Sequence, residues 1–131
     1  MPEAALLLYG GPEEVEFNAA IMAQCAGQVA DLGCQNSVRE FASLVSLADV
    51  FFTPDSLGFH IAIALEKRTV VLVGPTSPWE LDVYGRGEVL TADPECAACY
   101  RSRCDRQPTC MEKLDPTVVE TAILKQWRHL V

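Results

Sequence analysis

The chain has 131 residues, half of them hydrophobic and 21% charged, which suits one globular domain and leaves no room for a second. Its 18 acidic and 10 basic side chains give a formal net charge of −8, which excludes general binding to nucleic acids or anionic membranes. Because no apolar run approaches the roughly 20 residues that span a bilayer, and the amino terminus lacks a signal peptide's basic flank, we expect a cytoplasmic protein.

The first part of the chain predicts a strand, a helix, a second strand and a second helix. The apolar run at residues 4–9 has strand length and stops at Gly10, Gly11 and Pro12, which favour a turn. Apolar residues at helical spacing follow as far as residue 25, and residues 29–32 predict a short strand. Ser37 and Glu40 match a capping box, which predicts a helix from there to about residue 48.

The rest of the chain continues this alternation. Apolar runs rich in β-forming residues predict strands at 50–53, 70–73 and 87–91, and an apolar helix is predicted at 59–65. Asp115 and Pro116 match the N-cap and first position of a closing helix that runs to about residue 127. This order implies an α/β fold with right-handed crossovers, in which helices flank an open parallel sheet.

Three segments follow strands at the edge where such folds bind ligands, namely residues 10–14, 54–60 and 74–78. The amides of Ser56, Leu57 and Gly58 at a helix start are suited to holding a phosphate, and Gly58 leaves room for close backbone approach. The simpler alternatives stay open: Asp55 is a helix cap or a ligand contact, and His60 is a core residue or part of the site.

Other residues near this edge also have ordinary explanations. Glutamates 13, 14 and 16 suit a solvated helix start, and the turn at Gly74, Pro75 and Thr76 is a common strand exit. The larger aromatic side chains are expected to be core or packing residues and not to stack on a nucleotide base: Phe51, Phe52, Trp79 and Trp127.

Taken together, the order of these motifs resembles glycosyltransferase family 9, the ADP-heptose:lipopolysaccharide heptosyltransferases. The resemblance rests on Asp55-Ser56-Leu57-Gly58, on His60 and the Ala62-Ile63-Ala64-Leu65 run, and on Gly74-Pro75-Thr76-Ser77-Pro78. Upstream, Gly10-Gly11-Pro12-Glu13-Glu14 is similar to the family's Gly-Gly-Pro-x-Glu turn, and residues 33–40 are similar to its Leu-x-Gly-x-x-Ser-Leu-x-Glu segment.

The resemblance implies a glycosyltransferase-B architecture, of which residues 1–131 form only the carboxyl-terminal, Rossmann-like domain that binds the nucleotide-sugar. The implied reaction is inverting transfer from ADP-heptose or another nucleotide-sugar, without a cofactor, in lipopolysaccharide core or related glycan synthesis. The alternative is a catalytically inactive binding module or a metal-stabilised interaction module on the same fold.

The resemblance also implies roles for individual residues. Asp55 would contact the donor sugar, Ser56, Leu57 and Gly58 would hold its diphosphate, and His60 would support that loop. Glu14 would accept both ribose hydroxyls, since a carboxylate can accept from two donors at once, and Asn36 would border the adenine. The remaining donor-binding residues implied are those of the turn: Gly74, Pro75 and Thr76.

The sequence departs from the family pattern in two places. Leu57 separates Ser56 from Gly58, where the family usually has glycine directly after the Asp-Ser pair. The family's first strand of this domain, with a phosphate-binding lysine, should precede Ala4 and is absent from this sequence. We therefore expect a fragment that is inactive alone, with the catalytic base in the acceptor-binding domain.

The expected partners follow from the same resemblance. They are the nucleotide-sugar donor and, through the acceptor-binding domain, a lipid-linked or glycan acceptor. We expect no nucleic-acid partner, and at most peripheral contact with the inner face of the membrane.

Cysteines are unusually frequent, with six in the chain. Cys25 and Cys34 lie in apolar segments, where free cysteine behaves as a small buried hydrophobe. The other four follow the spacing Cys-x2-Cys-x4-Cys-x5-Cys within the loop 96–110: Cys96, Cys99, Cys104 and Cys110. This spacing predicts a compact structural zinc or iron site, and the alternatives are reduced loop cysteines or partial disulfide bonding.

Three arginines share this loop: Arg101, Arg103 and Arg106. Their simplest role is to balance the charge of nearby thiolates and carboxylates, and the alternative is contact with phosphates of the donor or the acceptor.

Overall fold

The computed structural model describes residues 4–25 and 27–130. These residues divide between two units, the first ending at Leu44 and the second beginning at Val45.

The first unit contains two short parallel strands and two helices. Strand β1 (Leu6–Leu8) pairs with β2 (Val29–Asp31), with Leu6 opposite Val29. A 3-10 turn at Pro12–Glu14 leads into α1 (Val15–Gln24), and α2 (Val38–Val45) ends at the boundary between the units. The predicted capping box is confirmed: the Glu40 amide donates to Ser37 Oγ at 3.3 Å, and the Ser37 amide donates to Glu40 Oε2 at 2.8 Å.

Tyr9 and Asn18 hold the turn after β1 in this unit. The Tyr9 hydroxyl donates to the Leu44 carbonyl at 3.0 Å, its ring meets Phe41 edge to face, and burial raises the pKa of Tyr9. The buried Asn18 amide nitrogen donates to the Tyr9 carbonyl at 3.2 Å. A Cβ on Gly10 would lie 2.8 Å from that same nitrogen, so glycine is needed there.

The second unit is a three-stranded parallel sheet with helices. Its strands are β3 (Val50–Pro54), β4 (Arg68–Val73) and β5 (Gly87–Thr91), in the spatial order β3-β4-β5. Its helices are α3 (Leu57–Ala64), α4 (Cys110–Lys113) and α5 (Pro116–Arg128), together with 3-10 turns at Pro78–Glu80 and Pro94–Cys96.

The central strand β4 is covered on both faces, because alternate residues of a strand point to opposite sides. Val71 and Val73 are fully buried against Phe59 of α3. Arg68 donates to Gln126 Oε1 of α5 at 3.1 Å, and the Gln126 amide nitrogen donates to Glu88 of β5 at 3.0 Å. Helices α3 and α5 therefore sandwich the sheet, as the strongly apolar strand pattern predicted.

The α/β class with parallel strands and flanking helices is confirmed, and the arrangement is Rossmann-like. The single sheet implied by the strand order is wrong for the described residues, because β1 and β2 pair with each other and the other three strands form a second sheet. The order of strands and helices in the sequence predicts that the strands run parallel, but it does not determine which strands pair with each other. Strands of three residues also offer few hydrogen bonds through which a sheet can be extended. Across residues 4–25 and 27–130, no helix is long and apolar enough to cross a membrane.

Candidate functional site

Two of the predicted ligand-binding segments lie side by side in the second unit. Strands β3 and β4 run parallel, with Val50 opposite Arg68 and Pro54 opposite Leu72. Asp55 and Gly74 therefore follow neighbouring strands at the same carboxyl edge of the sheet. Parallel α/β sheets bind ligands at this edge, so the structure brings these two segments together as predicted.

The start of α3 presents main-chain amides to this edge. Ser56 is the N-cap residue, in extended conformation, but its side chain caps none of the helix amides. Thr53 donates its hydroxyl proton to the Pro54 carbonyl at 3.0 Å, so Ser56 donates in the 2.9 Å bond between their hydroxyls. Because the first amides of a helix have no intrahelical acceptor, they are available to an anion.

Asp55 precedes this cap. The possibility that Asp55 itself caps α3 is wrong, since Ser56 occupies that position. Among the residues that the structure describes, the partly buried Asp55 carboxylate has no hydrogen-bond or ion-pair partner. A carboxylate without a partner, one residue before a helix N-cap, is placed to accept hydrogen bonds from a ligand hydroxyl.

Gly58 and His60 differ from their sequence-based expectations. Gly58 is buried, and a Cβ there would lie 3.2 Å from the Phe51 ring, so packing against β3 accounts for the glycine. Leu57, the residue that interrupts the family pattern, is 56% exposed. His60 is also exposed, with its ring 5.2 Å from that of Phe59, so its interpretation as a core residue is wrong.

The turn after β4 is held by the segment that follows β5. The Tyr100 amide donates to the Pro75 carbonyl at 2.8 Å, and a Cβ on Gly74 would lie 3.4 Å from Met111 Sδ. Thr76, the next residue of the turn, is partly buried, and Ser77 after it is buried. The turn is therefore packed against the cysteine loop, a contact that the sequence did not predict.

Two of the four aromatic residues expected to be core or packing residues lie outside the core. Trp79 is 80% exposed in the 3-10 turn that follows Ser77, and Phe52 is 45% exposed on β3. Phe51 is buried as predicted, and Trp127 is partly buried. The error at Phe52 arises because residues 50–53 are apolar without alternation, so the sequence does not indicate which side of this strand is exposed.

The first unit holds the other two predicted site residues, Glu14 and Asn36. Glu14 Oε2 accepts the Gly11 amide at 2.7 Å, so one carboxylate oxygen already stabilises its own turn. The Asn36 amide nitrogen donates to the carbonyls of Leu32 and Gly33, both at 3.1 Å. Glu14 is exposed and Asn36 is partly exposed, so both remain within reach of a ligand.

Basic side chains in β4 and before it lie at the opposite end of the sheet. Arg68 begins β4, and the strand to Val73 spans about 16 Å. Lys67 donates to the Ser46 carbonyl at 2.6 Å, and Arg68 is engaged with Gln126. These cations lie away from the ligand edge, so main-chain amides are the groups that this part of the unit offers to an anion.

The cysteine loop surrounds a cavity of about 460 Å³. Its lining includes all four clustered cysteines together with Pro75. All six cysteines are free thiols. In the described ranges, no three His, Cys, Asp or Glu side chains lie close enough together to hold one metal ion.

Comparison with known proteins identifies the family. The family model of glycosyltransferase family 9 (heptosyltransferase) matches residues 3–109, most of the chain. The chain belongs to glycosyltransferase family 9. All ten predicted site residues lie within the matched range, as do Cys96, Cys99 and Cys104.

A relative with a described activity supports membership of glycosyltransferase family 9. Lipopolysaccharide heptosyltransferase 1 of Pseudomonas aeruginosa is 45% identical over 51 residues, which are 38% of this chain and 14% of that protein. The chain thus matches about one seventh of the length of this curated relative. No solved structure matches the chain. The resemblance derived from the sequence motifs is confirmed.

Proposed function

We propose that this chain binds the nucleotide-sugar donor of an inverting heptosyltransferase. The donor proposed is ADP-heptose, and the reaction proposed belongs to lipopolysaccharide core or related glycan synthesis. Membership of glycosyltransferase family 9 and the name of the Pseudomonas relative support the reaction class. The uncapped start of α3 beside the free Asp55 carboxylate is the structural observation that carries the proposal.

Each group has a defined task in this proposal. In the transfer, the acceptor hydroxyl loses its proton to a base and its oxygen bonds to the anomeric carbon, while the bond from that carbon to the diphosphate breaks. The amides of Leu57 and Gly58 hold the diphosphate and stabilise the charge that develops as it leaves. Asp55 accepts hydrogen bonds from the heptose hydroxyls. The proposal does not assign the base to any residue of this chain.

The nucleoside part of the donor is assigned to the other predicted residues. Glu14 accepts the ribose hydroxyls through the oxygen that does not bind the Gly11 amide, and Asn36 borders the adenine. Gly74, Pro75 and Thr76 form the wall of the site beyond β4, and His60 lies one helical turn from the diphosphate amides. The acceptor, a lipid-linked or glycan molecule, approaches from outside this set of residues.

A second candidate is a binding module that has kept the fold without the catalysis. The position of Lys67 and Arg68 at the far end of β4 favours it, because a leaving diphosphate usually meets a cation. The two candidates differ in whether the chain binds an intact nucleotide-sugar.

Calorimetry with ADP and ADP-heptose tests the proposal. We expect saturable binding of both ligands to the chain. Asp55→Asn should weaken ADP-heptose binding about tenfold and leave ADP binding unchanged, because Asp55 is assigned to the sugar. Asp49→Asn is the matched control, since Asp49 is exposed and lies immediately before β3, at the opposite end from Asp55. Absence of binding for both ligands, or equal losses for both with Asp55→Asn, would contradict the assignment.

A further inference from the structure

Two of the free thiols lie at the two ends of one tight turn in the cysteine loop. Cys96 ends the 3-10 turn at Pro94–Cys96, and Cys99 follows three residues later. Between them, Ala97 has φ −57° and ψ 145°, and Ala98 has φ 56°. These angles fall in the regions required of the two central residues of a type II β-turn, whose first and last residues are then the two cysteines.

A β-turn limits the distance between its ends. Its first and last Cα atoms lie less than about 7 Å apart, and a disulfide requires a Cα–Cα distance of about 4.4 to 6.8 Å. The main chain therefore already holds Cys96 and Cys99 close enough for a disulfide, without movement of the rest of the loop. Both residues also line the same cavity, so they border a common space.

We propose that Cys96 and Cys99 are a redox-active pair that forms a reversible disulfide by exchange with a small disulfide such as oxidised glutathione. Cys99 is exposed and Cys96 is partly buried, so Cys99 reacts first. Its thiolate bonds to one sulfur of the oxidised glutathione, whose sulfur–sulfur bond breaks and releases one glutathione thiolate.

The second step closes the ring. The Cys96 thiolate bonds to the Cys99 sulfur and displaces the second glutathione as its thiolate. The two protein thiols thus lose two electrons and two protons, and the oxidised glutathione takes up both and leaves as two thiols. Excess reduced glutathione drives the same steps backwards, so the modification is reversible.

The turn is anchored on both sides by contacts that do not involve sulfur. The Cys96 amide donates to the Asp93 carbonyl at 3.0 Å, and the Tyr100 amide donates to the Pro75 carbonyl at 2.8 Å. The main chain is therefore held where it enters the turn and where it leaves it. Because these bonds already order the segment, less conformational entropy is lost when the disulfide closes.

The backbone conformation of Ala98 is consistent with such a closure. The third position of a type II turn requires a positive φ, which glycine adopts freely and alanine adopts at a cost in free energy. Strained residues persist where the surrounding structure holds them, and they concentrate at functional sites. A disulfide between Cys96 and Cys99 closes a small ring that includes Ala98 and holds this conformation.

The other two cysteines of the loop have no comparable constraint. Cys104 and Cys110 lie five and eleven residues after Cys99, too far along the chain for one β-turn to join either of them to it. Every residue of 101–108 is exposed, and Cys104 Sγ donates to the Arg106 carbonyl at 3.9 Å. The geometry therefore selects one pair from the four thiols.

The cavity beside the turn suits a small anionic disulfide. It has a volume of about 460 Å³, and its lining includes Arg101 and Arg106, which balance Glu95 and Asp105. The lining thus carries no net formal charge, although the whole chain carries −8. Arg101 forms an ion pair with Asp105, whereas the Arg106 side chain has no hydrogen-bond or ion-pair partner within the part of the chain that the structure describes. Its guanidinium is available to a carboxylate of glutathione.

Peptide mapping after controlled oxidation tests the pair. Trypsin cleaves after Arg86 and Arg101 and so releases residues 87–101 as one peptide. This peptide contains Cys96 and Cys99 and no other cysteine. After the folded chain has been incubated with excess oxidised glutathione and its remaining thiols have been alkylated, the peptide should be unalkylated and lighter by the mass of two hydrogen atoms. Subsequent incubation with excess reduced glutathione should restore both thiols.

Variants separate the effect of the turn from closeness in sequence. Ala98→Pro should lower the equilibrium constant for disulfide formation against glutathione about tenfold or more, because proline fixes φ at about −65° and excludes the left-handed conformation. Ala98→Gly is the matched control and should keep the pair, since glycine adopts a positive φ freely. Cys96→Ser should stop the reaction at a mixed disulfide between glutathione and Cys99, and Cys110→Ser should leave the pair unchanged.

Each of the following results would overturn the proposal. In the unmodified chain, the peptide 87–101 could remain fully alkylated, carry glutathione at equilibrium, or be linked to a fragment that contains Cys104 or Cys110. Equal equilibrium constants for Ala98→Pro and the unmodified chain would also contradict the role of the turn. Because no sugar donor is present in these measurements, failure of the redox pair and failure of the proposed donor binding are distinguishable.

Discussion

At the scale of single residues, the molecule depends on a few positions where only one side chain fits. Asn18 and Gly10 fit each other in the turn after β1, and Gly58 makes room for the Phe51 ring. Gly87 is the most restrictive of these positions, since a Cβ there would lie 1.9 Å from the Thr69 carbonyl oxygen on the neighbouring strand. That atom belongs to the backbone of β4, so it cannot rotate away.

Gly87→Ala should therefore destabilise the second unit by about 3 kcal/mol, because β4 and β5 must separate to admit the methyl group. Urea denaturation followed by circular dichroism measures this change. Gly74→Ala is the control, since its Cβ would meet Met111 Sδ at an ordinary contact distance of 3.4 Å, and the expected change is below about 1 kcal/mol. Similar losses for the two variants would contradict the explanation.

At the scale of elements, starts and stops were predicted where local chemistry sets them. The bounds of β5 at 87–91 and the start of α5 at Asp115 and Pro116 are confirmed, because turn and cap residues mark them. Helix α2 ends at Val45, three residues earlier than predicted. The chain turns there, with the Ala48 amide donating to the Val45 carbonyl at 3.1 Å, and Lys67 donates to the Ser46 carbonyl from a distant position in the sequence.

In the candidate site too, features set by the local sequence could be predicted, and features set by distant contacts could not. Its strand-exit segments could be located from apolar runs and turn residues, and family motifs within them could be recognised. The exposure of His60 and Trp79 could not be predicted, because it depends on which neighbouring segments cover a position. The contact of Pro75 with Tyr100 joins residues from separate loops and leaves no periodic signal in the sequence.

The capping box at α2 leads to a prediction about acid titration. Hydrogen bonds from the Ser37 side chain and amide lower the pKa of Glu40. The charged carboxylate is thus favoured in the folded chain, and its contribution to stability is present above the usual glutamate pKa of about 4.3 and is lost as the pH falls through the lower folded value. Ser37→Ala should raise the pKa of Glu40 toward its usual value.

Carbon-13 NMR titration of the glutamate carboxyl groups measures this shift. Glu112 is an internal control, because hydrogen bonds from Thr109 lower its pKa in a separate box that the substitution does not touch. An unchanged Glu40 pKa in Ser37→Ala, with Glu112 also unchanged, would contradict the assigned cause.

At the scale of the whole molecule, the main feature is an acidic chain for which we propose an anionic donor. The net charge of −8 excludes broad attraction to polyanions, and the cations Lys67 and Arg68 lie away from the ligand edge. Under the proposed function, main-chain amides hold the diphosphate against this unfavourable overall field.

The salt dependence of ADP binding should reflect this balance. Raising the salt concentration from about 20 to 200 mM screens the repulsion between the acidic chain and the nucleotide, so affinity should stay constant or rise by about twofold. Calorimetry at four salt concentrations measures the trend. A decrease of tenfold or more would indicate that lysine and arginine side chains, and not amides, provide the attraction.

The exposed indole of Trp79 gives the molecule a fluorescent reporter of its own. The chain has two tryptophans, of which Trp127 is partly buried in α5 while Trp79 lies 80% exposed, two residues after Ser77 at the carboxyl end of β4. Their emission should therefore differ in wavelength and in sensitivity to aqueous quenchers. Occupation of the neighbouring turn would be visible as a change in the solvent-exposed component alone, in the native chain and without a label.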